Sequence, residues 1–140
     1  MSQYNSRILI KVKDIAEWNK LTDIDFSACG FYSNPFEDHD KDTFVIDGDW
    51  SCFEDEMEQL ASNIVKKIPN CLLIADTTDI NVDPFAYIVY SLGDGYDCDN
   101  IDADLQWESE ITEPFGWFAT AGITLTDKQK EFINSFGFTE

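Results

Sequence analysis

The segment from residue 43 to 76 restricts the fold more than any other part of this 140-residue chain. Thr43–Asp47 has the apolar, β-branched character of a strand, and Gly48 follows it as a turn residue. Apolar side chains then recur at helical spacing until Pro69 ends the helix, and Cys71–Ala75 has the composition of a buried strand. A strand, a helix and a strand within about 35 residues predict a right-handed crossover between two parallel strands.

Three further segments extend this unit. Residues 7–13 alternate apolar and basic side chains, as expected for a strand with one buried and one basic face. Residues 85–92 are apolar on both faces, which predicts a central strand. Short helices are expected over residues 14–21 and after the capping box formed by Thr126 and Gln129.

An acidic segment lies between the predicted central strand and the last helix. Residues 94–111 hold seven carboxylates and no lysine or arginine. The first half of this segment is expected to be a loop. From Asp104 onward apolar and acidic residues alternate, which predicts a strand with Leu105, Trp107 and Ile111 facing the core.

Together these segments predict a single α+β domain over residues 1–140. The sheet is expected to be mixed, with about five strands, the βαβ unit at residues 43–76, and two to three helices packed on it. The aromatic content of 14% supports a packed core, because disordered acidic chains are poor in aromatic residues.

The net charge indicates which kinds of partner are compatible with the chain. It carries 28 acidic and 9 basic residues, a formal net charge of −19, and the interval between Lys67 and Lys128 contains twelve acids and no basic residue. Such a surface either confers solubility or complements a cationic partner. Nucleic acid and anionic membranes would be repelled, so we expect a basic protein partner, no direct nucleic-acid binding and no membrane binding. The charge pattern does not indicate an oligomeric state.

Metal sites and export signals are not indicated by the sequence. The cysteines are Cys29, Cys52, Cys71 and Cys98. None of them has the paired spacing of a zinc site, and calcium-loop registers starting at Asp97 and Asp102 both lack the required glycine, so we expect no metal and no cofactor. No secretory signal and no apolar run approaching 18 residues occur, which predicts a reduced, cytoplasmic protein.

A metal-dependent phosphohydrolase is one alternative function. Asp47 and Asp76 each end a predicted parallel strand, and Asp49 follows two residues after the first of them. The carboxyl ends of parallel strands collect ligands, and carboxylates there can hold Mg²⁺. The sequence lacks a glycine-rich phosphate loop and any Ser-His or Cys-His arrangement, so we expect no catalytic residues and no enzyme.

A binding surface on the acidic segment is the preferred interpretation. Acidic inhibitors gain association rate from long-range attraction and affinity from a few aromatic anchors. We expect the surface to comprise Asp97, Asp99, Asp102, Asp104, Trp107, Glu108, Glu110 and Trp117. A DNA-mimic antagonist of a DNA-binding protein is a second alternative, because carboxylates on one strand face lie roughly 6.7 Å apart, twice the rise per residue.

In size, charge and absence of catalytic motifs, the chain resembles the small acidic immunity proteins of bacterial toxin–immunity systems. Members of that class are compact cytoplasmic α/β or α+β proteins that bind and block a cognate toxin, often a nuclease. The resemblance implies an inhibitor of a basic toxin or nuclease. It includes no signature residues, so it transfers no site to individual positions.

Overall fold

The computed structural model describes residues 4–31, 41–48, 52–79, 85–102 and 104–140. Its strands are β1 (Tyr4–Lys11), β2 (Thr43–Gly48), β3 (Leu72–Asp79), β4 (Phe85–Ser91) and β5 (Tyr96–Asp102). Its α-helices are α1 (Glu54–Lys67), α2 (Leu105–Glu108), α3 (Pro114–Thr120) and α4 (Asp127–Asn134). Two 3₁₀ helices, Ile15–Leu21 and Phe26–Cys29, lie between β1 and β2. The α+β class and the five strands are confirmed, and there are more helices than the expected two or three.

All strand pairs in the sheet are antiparallel, in the order β2-β1-β3-β4-β5. β1 lies between β2 and β3, with Ile8 opposite Ile46 on one side and Ala75 on the other. β2 and β3 run in the same direction and are joined by α1, so the βαβ unit predicted at 43–76 is confirmed. Its two strands are separated by β1 and are not neighbours, so the prediction of a mixed sheet is wrong. The physical reason is that β1 buries both of its faces, including Ile8 and Leu9, and therefore takes a central position.

Helices cover both faces of the sheet. On one face, α1 and the two 3₁₀ helices enclose a core that includes Ile8, Ile10, Trp18, Phe26, Met57, Ile64 and Val89. On the other face, α2, α3 and α4 enclose a core that includes Leu9, Ile74, Ile88, Leu105, Trp117, Phe118 and Ile133. Alternate residues of β1, β3 and β4 thus enter different cores, and β3 is buried along its whole length, as a strand covered on both sides must be.

The acidic segment has the opposite secondary structure from the one predicted. Residues 96–102, expected as a loop, form β5 and pair with β4 along its length. Residues 104–111, expected as a strand, form α2 followed by turns. Leu105 and Ile111 are buried as predicted, whereas Trp107 faces solvent. Eight residues are too few for periodicity to distinguish a strand from a short helix whose ends both contact the core.

The last helix begins as its sequence predicts. The Thr126 N–H donates to Gln129 Oε1 at 2.9 Å, and the Gln129 N–H donates to Thr126 Oγ1 at 3.2 Å, which completes the capping box of α4. Among the described residues, every helix is too short or too polar to cross a membrane.

Candidate functional site

β5 forms one edge of the sheet and pairs with β4 alone among the described strands. Asp97 and Asp99 are exposed on the face that α2, α3 and α4 cover, next to Tyr90 of β4, while Asp102 lies on the opposite face. The Asn100 N–H donates to Asp99 Oδ1 at 2.8 Å. β5 therefore presents a strand edge with carboxylates on both of its faces.

The remaining predicted acids follow β5 directly. Asp104 precedes α2, Glu108 ends it, Glu110 lies in the turn beyond, and all three are exposed. Trp107 on α2 is 75% exposed, the largest exposed fraction among the exposed large apolar side chains of the described residues. We call this set the acidic edge: Asp97, Asp99, Asp102, Asp104, Trp107, Glu108 and Glu110.

Trp117 does not belong to this surface. Its side chain is 0% exposed, and its ring packs edge-on against Tyr90 and Phe118. Its Nε1 donates to Asp76 Oδ2 at 2.8 Å, which satisfies the one polar atom of a buried indole. The prediction that Trp117 contacts a partner is corrected, because α3 directs this residue into the core.

A buried ion pair attaches the acidic edge to the centre of the sheet. Arg7 Nη2 lies 2.7 Å from Asp76 Oδ2, with exposed fractions of only 3% and 0%. The Gln106 side chain donates to Asp76 Oδ1 at 2.7 Å, and Arg7 Nη1 donates to the Ser109 carbonyl at 2.7 Å. Because Gln106 and Ser109 flank Trp107 in the chain, this pair fixes the position of the segment that exposes it.

The same pair corrects two predictions. β1 does not have the expected solvent-facing basic side, because Arg7 is buried. Asp76 is not an accessible metal ligand either, since its two oxygens accept hydrogen bonds from three side chains. Asp47 lies opposite Arg7 in β2, with β1 between it and β3, and its side chain and Asp49 lie outside the described residues.

The acids of the acidic edge have no basic partner among the described residues. Besides Arg7–Asp76, the ion pairs within 4.0 Å in the described part of the chain include Lys11–Asp42, Lys20–Glu17, Lys67–Asp23 and Lys130–Glu140. The basic residues of these pairs therefore neutralise acids that lie outside the acidic edge. Burial, and after it the charges of Asp97 and Asp99, raise the pKa of the Tyr90 hydroxyl on the neighbouring strand.

A carboxylate on α1 forms hydrogen bonds on the face of the sheet opposite to Asp97 and Asp99. Glu58 accepts hydrogen bonds from the Tyr87 hydroxyl at 3.0 Å and from the Tyr96 hydroxyl at 3.2 Å. Burial, with hydrogen bonds to Cys98 and Glu58, raises the pKa of Tyr87, and the hydrogen bond to Glu58 raises the pKa of Tyr96. Both phenols therefore remain protonated donors at neutral pH and tie the edge strand to a helix.

The structure also assembles a cluster that sequence spacing did not indicate. The sulfur atoms of Cys29 and Cys52 and a carboxylate oxygen of Glu56 all lie within 4.8 Å of one another. Hydrogen bonding with Cys29 and burial raise the pKa of the Cys52 thiol. The spacing of the two cysteines matches no zinc motif, so only the packing of a 3₁₀ helix against α1 reveals that these three side chains could hold a metal ion.

No protein-family model matches this chain, and no curated protein and no solved structure shows a significant similarity to it. Function is therefore inferred from the chemistry of the described residues.

Proposed function

We propose that this protein is an immunity-type inhibitor that binds a basic toxin or nuclease in the cytoplasm and blocks its surface. The observation that carries the proposal is the acidic edge: six exposed carboxylates without a basic partner among the described residues, beside an exposed Trp107. All four cysteines are free thiols, which suits a reducing compartment.

A basic protein is the partner that the electrostatics favour. The formal net charge of −19 would repel nucleic acid and anionic lipid. Clustered charge of one sign accelerates the association of an oppositely charged protein by about 10- to 1,000-fold at low ionic strength. A nuclease surface that binds phosphates carries the complementary positive charge.

The acidic edge also offers the short-range contacts that a stable complex needs. Trp107 is a large aromatic side chain that a partner can bury, and tryptophan is enriched among residues that dominate binding energy. The outer side of β5 offers backbone groups to which an extended segment of the partner can add as a further strand. A second copy of β5 would oppose carboxylates with carboxylates, so a strand rich in lysine or arginine fits better.

The two alternatives have less support. Only Asp97 and Asp99 alternate on one strand face, because residues 104–111 are not a strand, so a DNA-mimic would have a short phosphate-like row. The phosphohydrolase would require Asp76 as an accessible ligand, and that carboxylate is buried in an ion pair with Arg7.

The proposal is tested by association kinetics with the product of a toxin-like gene adjacent to the gene for this protein. Asp97→Asn/Asp99→Asn should slow association about 10-fold or more at low salt and flatten its salt dependence, because these charges provide the steering. Trp107→Ala should mainly accelerate dissociation, since loss of an anchor acts on the bound state.

A matched control removes the same amount of charge elsewhere. Glu54→Gln/Glu131→Gln changes exposed acids at the start of α1 and on α4, and should leave the association rate close to that of the wild type. If the Asp97/Asp99 variant associates as fast as wild type at every salt concentration, the acidic edge is a solubility device and the inhibitor proposal fails.

A further inference from the structure

The cluster of Cys29, Cys52 and Glu56 lies away from the acidic edge and has no part in the proposed inhibition. Cys29 is the last residue of the second 3₁₀ helix, Cys52 precedes α1, and Glu56 is in the first turn of that helix. Both thiols are buried, with exposed fractions of 1% and 0%, and the carboxylate is half-buried. Two thiols and a carboxylate thus converge from two separate elements.

The backbone around both cysteines is held in place. Asp25 caps the 3₁₀ helix by accepting the Ser27 N–H at 3.0 Å, and Gly30 ends it in the left-handed conformation, φ 76°. The Cys52 carbonyl accepts a hydrogen bond from Thr77 Oγ1 of β3 at 2.7 Å. The three donor atoms therefore meet without any large rearrangement of the chain.

A surface cavity adjoins the cluster. Its volume is about 280 Å³, and its lining includes Cys29 and Glu56 together with the acidic residues Asp25 and Asp55. The cavity gives a cation access to Cys29 and Glu56, and its carboxylates attract positive charge. It also leaves room on one side of the cluster for a further ligand, such as water.

We propose that Cys29, Cys52 and Glu56 form a zinc site with a fourth position open to this cavity. Zinc prefers tetrahedral sets of thiolate, imidazole and carboxylate ligands, and its bond lengths place ligand atoms about 3.6–3.8 Å apart. The observed donors, all within 4.8 Å of one another, need only a small inward shift to reach that spacing. Binding releases the two thiol protons to solvent, and thiolates select zinc over calcium or magnesium.

The first test is a titration of reduced, chelator-treated full-length protein with zinc sulfate in competition with a chromophoric chelator. We expect one zinc per chain, retained in excess Mg²⁺ and Ca²⁺. Cobalt in place of zinc should give thiolate-to-metal charge-transfer absorption and the visible bands of a tetrahedral ion. Octahedral cobalt without charge-transfer absorption would overturn the proposal.

Variants assign the ligands. Cys29→Ser and Cys52→Ser should each weaken zinc binding by at least about 100-fold, more than loss of an outer-shell partner does, and Glu56→Gln should weaken it less. Cys98→Ser, at the exposed cysteine of β5, is the matched control and should bind zinc like wild type. If Cys98→Ser or Asp97→Asn/Asp99→Asn abolished zinc binding, the ion would lie on β5 and the proposal would be overturned.

A measurement on the wild-type chain avoids variants that fail to fold. Zinc should slow alkylation of Cys29 and Cys52 at least about 10-fold, read by peptide mass spectrometry, and leave Cys98 unprotected. Equal alkylation rates with and without zinc would overturn the proposal. A disulfide between Cys29 and Cys52 under mild oxidant, in protein that does not bind zinc, would instead assign the pair to thiol redox chemistry.

Discussion

At the scale of single residues, the Arg7–Asp76 pair is the contact on which the acidic edge depends. Asp76→Ala removes the counter-ion of a buried guanidinium and the acceptor of the Trp117 indole N–H. We expect the free energy of unfolding to fall by about 3–5 kcal/mol, because an uncompensated charge remains buried. Guanidinium unfolding monitored by circular dichroism measures this loss.

The exposed ion pair between Lys67 and Asp23 provides the control for this prediction. It has a similar distance of 2.7 Å but lies in solvent, so Asp23→Ala should leave the unfolding midpoint unchanged. Replacing both members of the buried pair, as Arg7→Met/Asp76→Leu, should restore part of the lost stability. Equal effects of Asp76→Ala and Asp23→Ala would contradict the assigned role.

The two tryptophans that the sequence predicts on one surface should differ greatly in how much their truncation lowers the stability of the fold. Trp117→Ala empties a packed site against Tyr90 and Phe118 and should cost about 3–5 kcal/mol of stability. Trp107→Ala removes a side chain that faces solvent and should change stability by less than about 0.5 kcal/mol. Thermal and denaturant unfolding of both variants measure these changes. A destabilised Trp107→Ala would show that this ring packs against the protein in solution.

At the scale of elements, β5 is an edge strand whose charges also guard against unwanted pairing. Asp97→Thr/Asp99→Thr keeps residues suited to a strand but removes the repulsion between two such edges. We expect this variant to self-associate more than wild type, as concentration-dependent sedimentation velocity would show. Glu54→Gln/Glu131→Gln, with the same change in charge, should not. If Asp97→Thr/Asp99→Thr sediments like wild type at all concentrations, this role of the two aspartates is contradicted.

The elements that sequence reasoning identified correctly are those with strong local signals. The Thr126 and Gln129 capping box gave α4, and the helical spacing of apolar residues before Pro69 gave α1. The sequence predicts a loop at β5 because aspartates disfavour strands locally, and pairing with β4 overrides that preference. The sequence does not predict α2, because a four-residue helix depends on tertiary contacts, such as Gln106 with Asp76.

Predicting the site from sequence failed where it required knowledge of strand order. The charges of the acidic edge were evident, because no basic residue lies between Lys67 and Lys128. The burial of Arg7 and Asp76 follows from β1 lying beside β3, and local sequence does not encode which strands become neighbours. The meeting of Cys29 with Cys52 depends in the same way on how a 3₁₀ helix packs against α1.

At the scale of the whole molecule, buried thiol and phenol groups should make the fold sensitive to alkali. Burial raises the pKa of Cys71 to about 12, and burial is also the main cause of the raised pKa of Tyr87 and of Tyr90. In the unfolded chain these groups ionise near about 8.5 for cysteine and 10 for tyrosine. Between those values and the folded values the unfolded state binds fewer protons, so stability falls as pH rises.

We therefore expect the free energy of unfolding to be constant near pH 7–8 and to decrease above about pH 9. Each group contributes about 1.4 kcal/mol per pH unit once its unfolded form is ionised. Guanidinium unfolding at pH 7.5, 9 and 10.5 measures the slope. Between pH 7.5 and pH 10.5, the free energy of unfolding of Cys71→Ala should fall less than that of wild type. A wild-type free energy of unfolding that stays constant up to pH 10.5 would contradict the prediction.

The central position of β1 has a consequence for protein synthesis. This strand is synthesised before β2 and β3, yet Arg7 bonds to a residue 69 positions later. At about 5–20 residues per second, roughly 3–14 s separate the synthesis of Arg7 from that of Asp76 in β3. A ribbon of β1 and β2 alone is marginally stable, so the nascent chain must carry an uncovered apolar strand for that interval. We therefore expect the growing polypeptide to expose an extended apolar segment of the kind that chaperones at the exit tunnel bind.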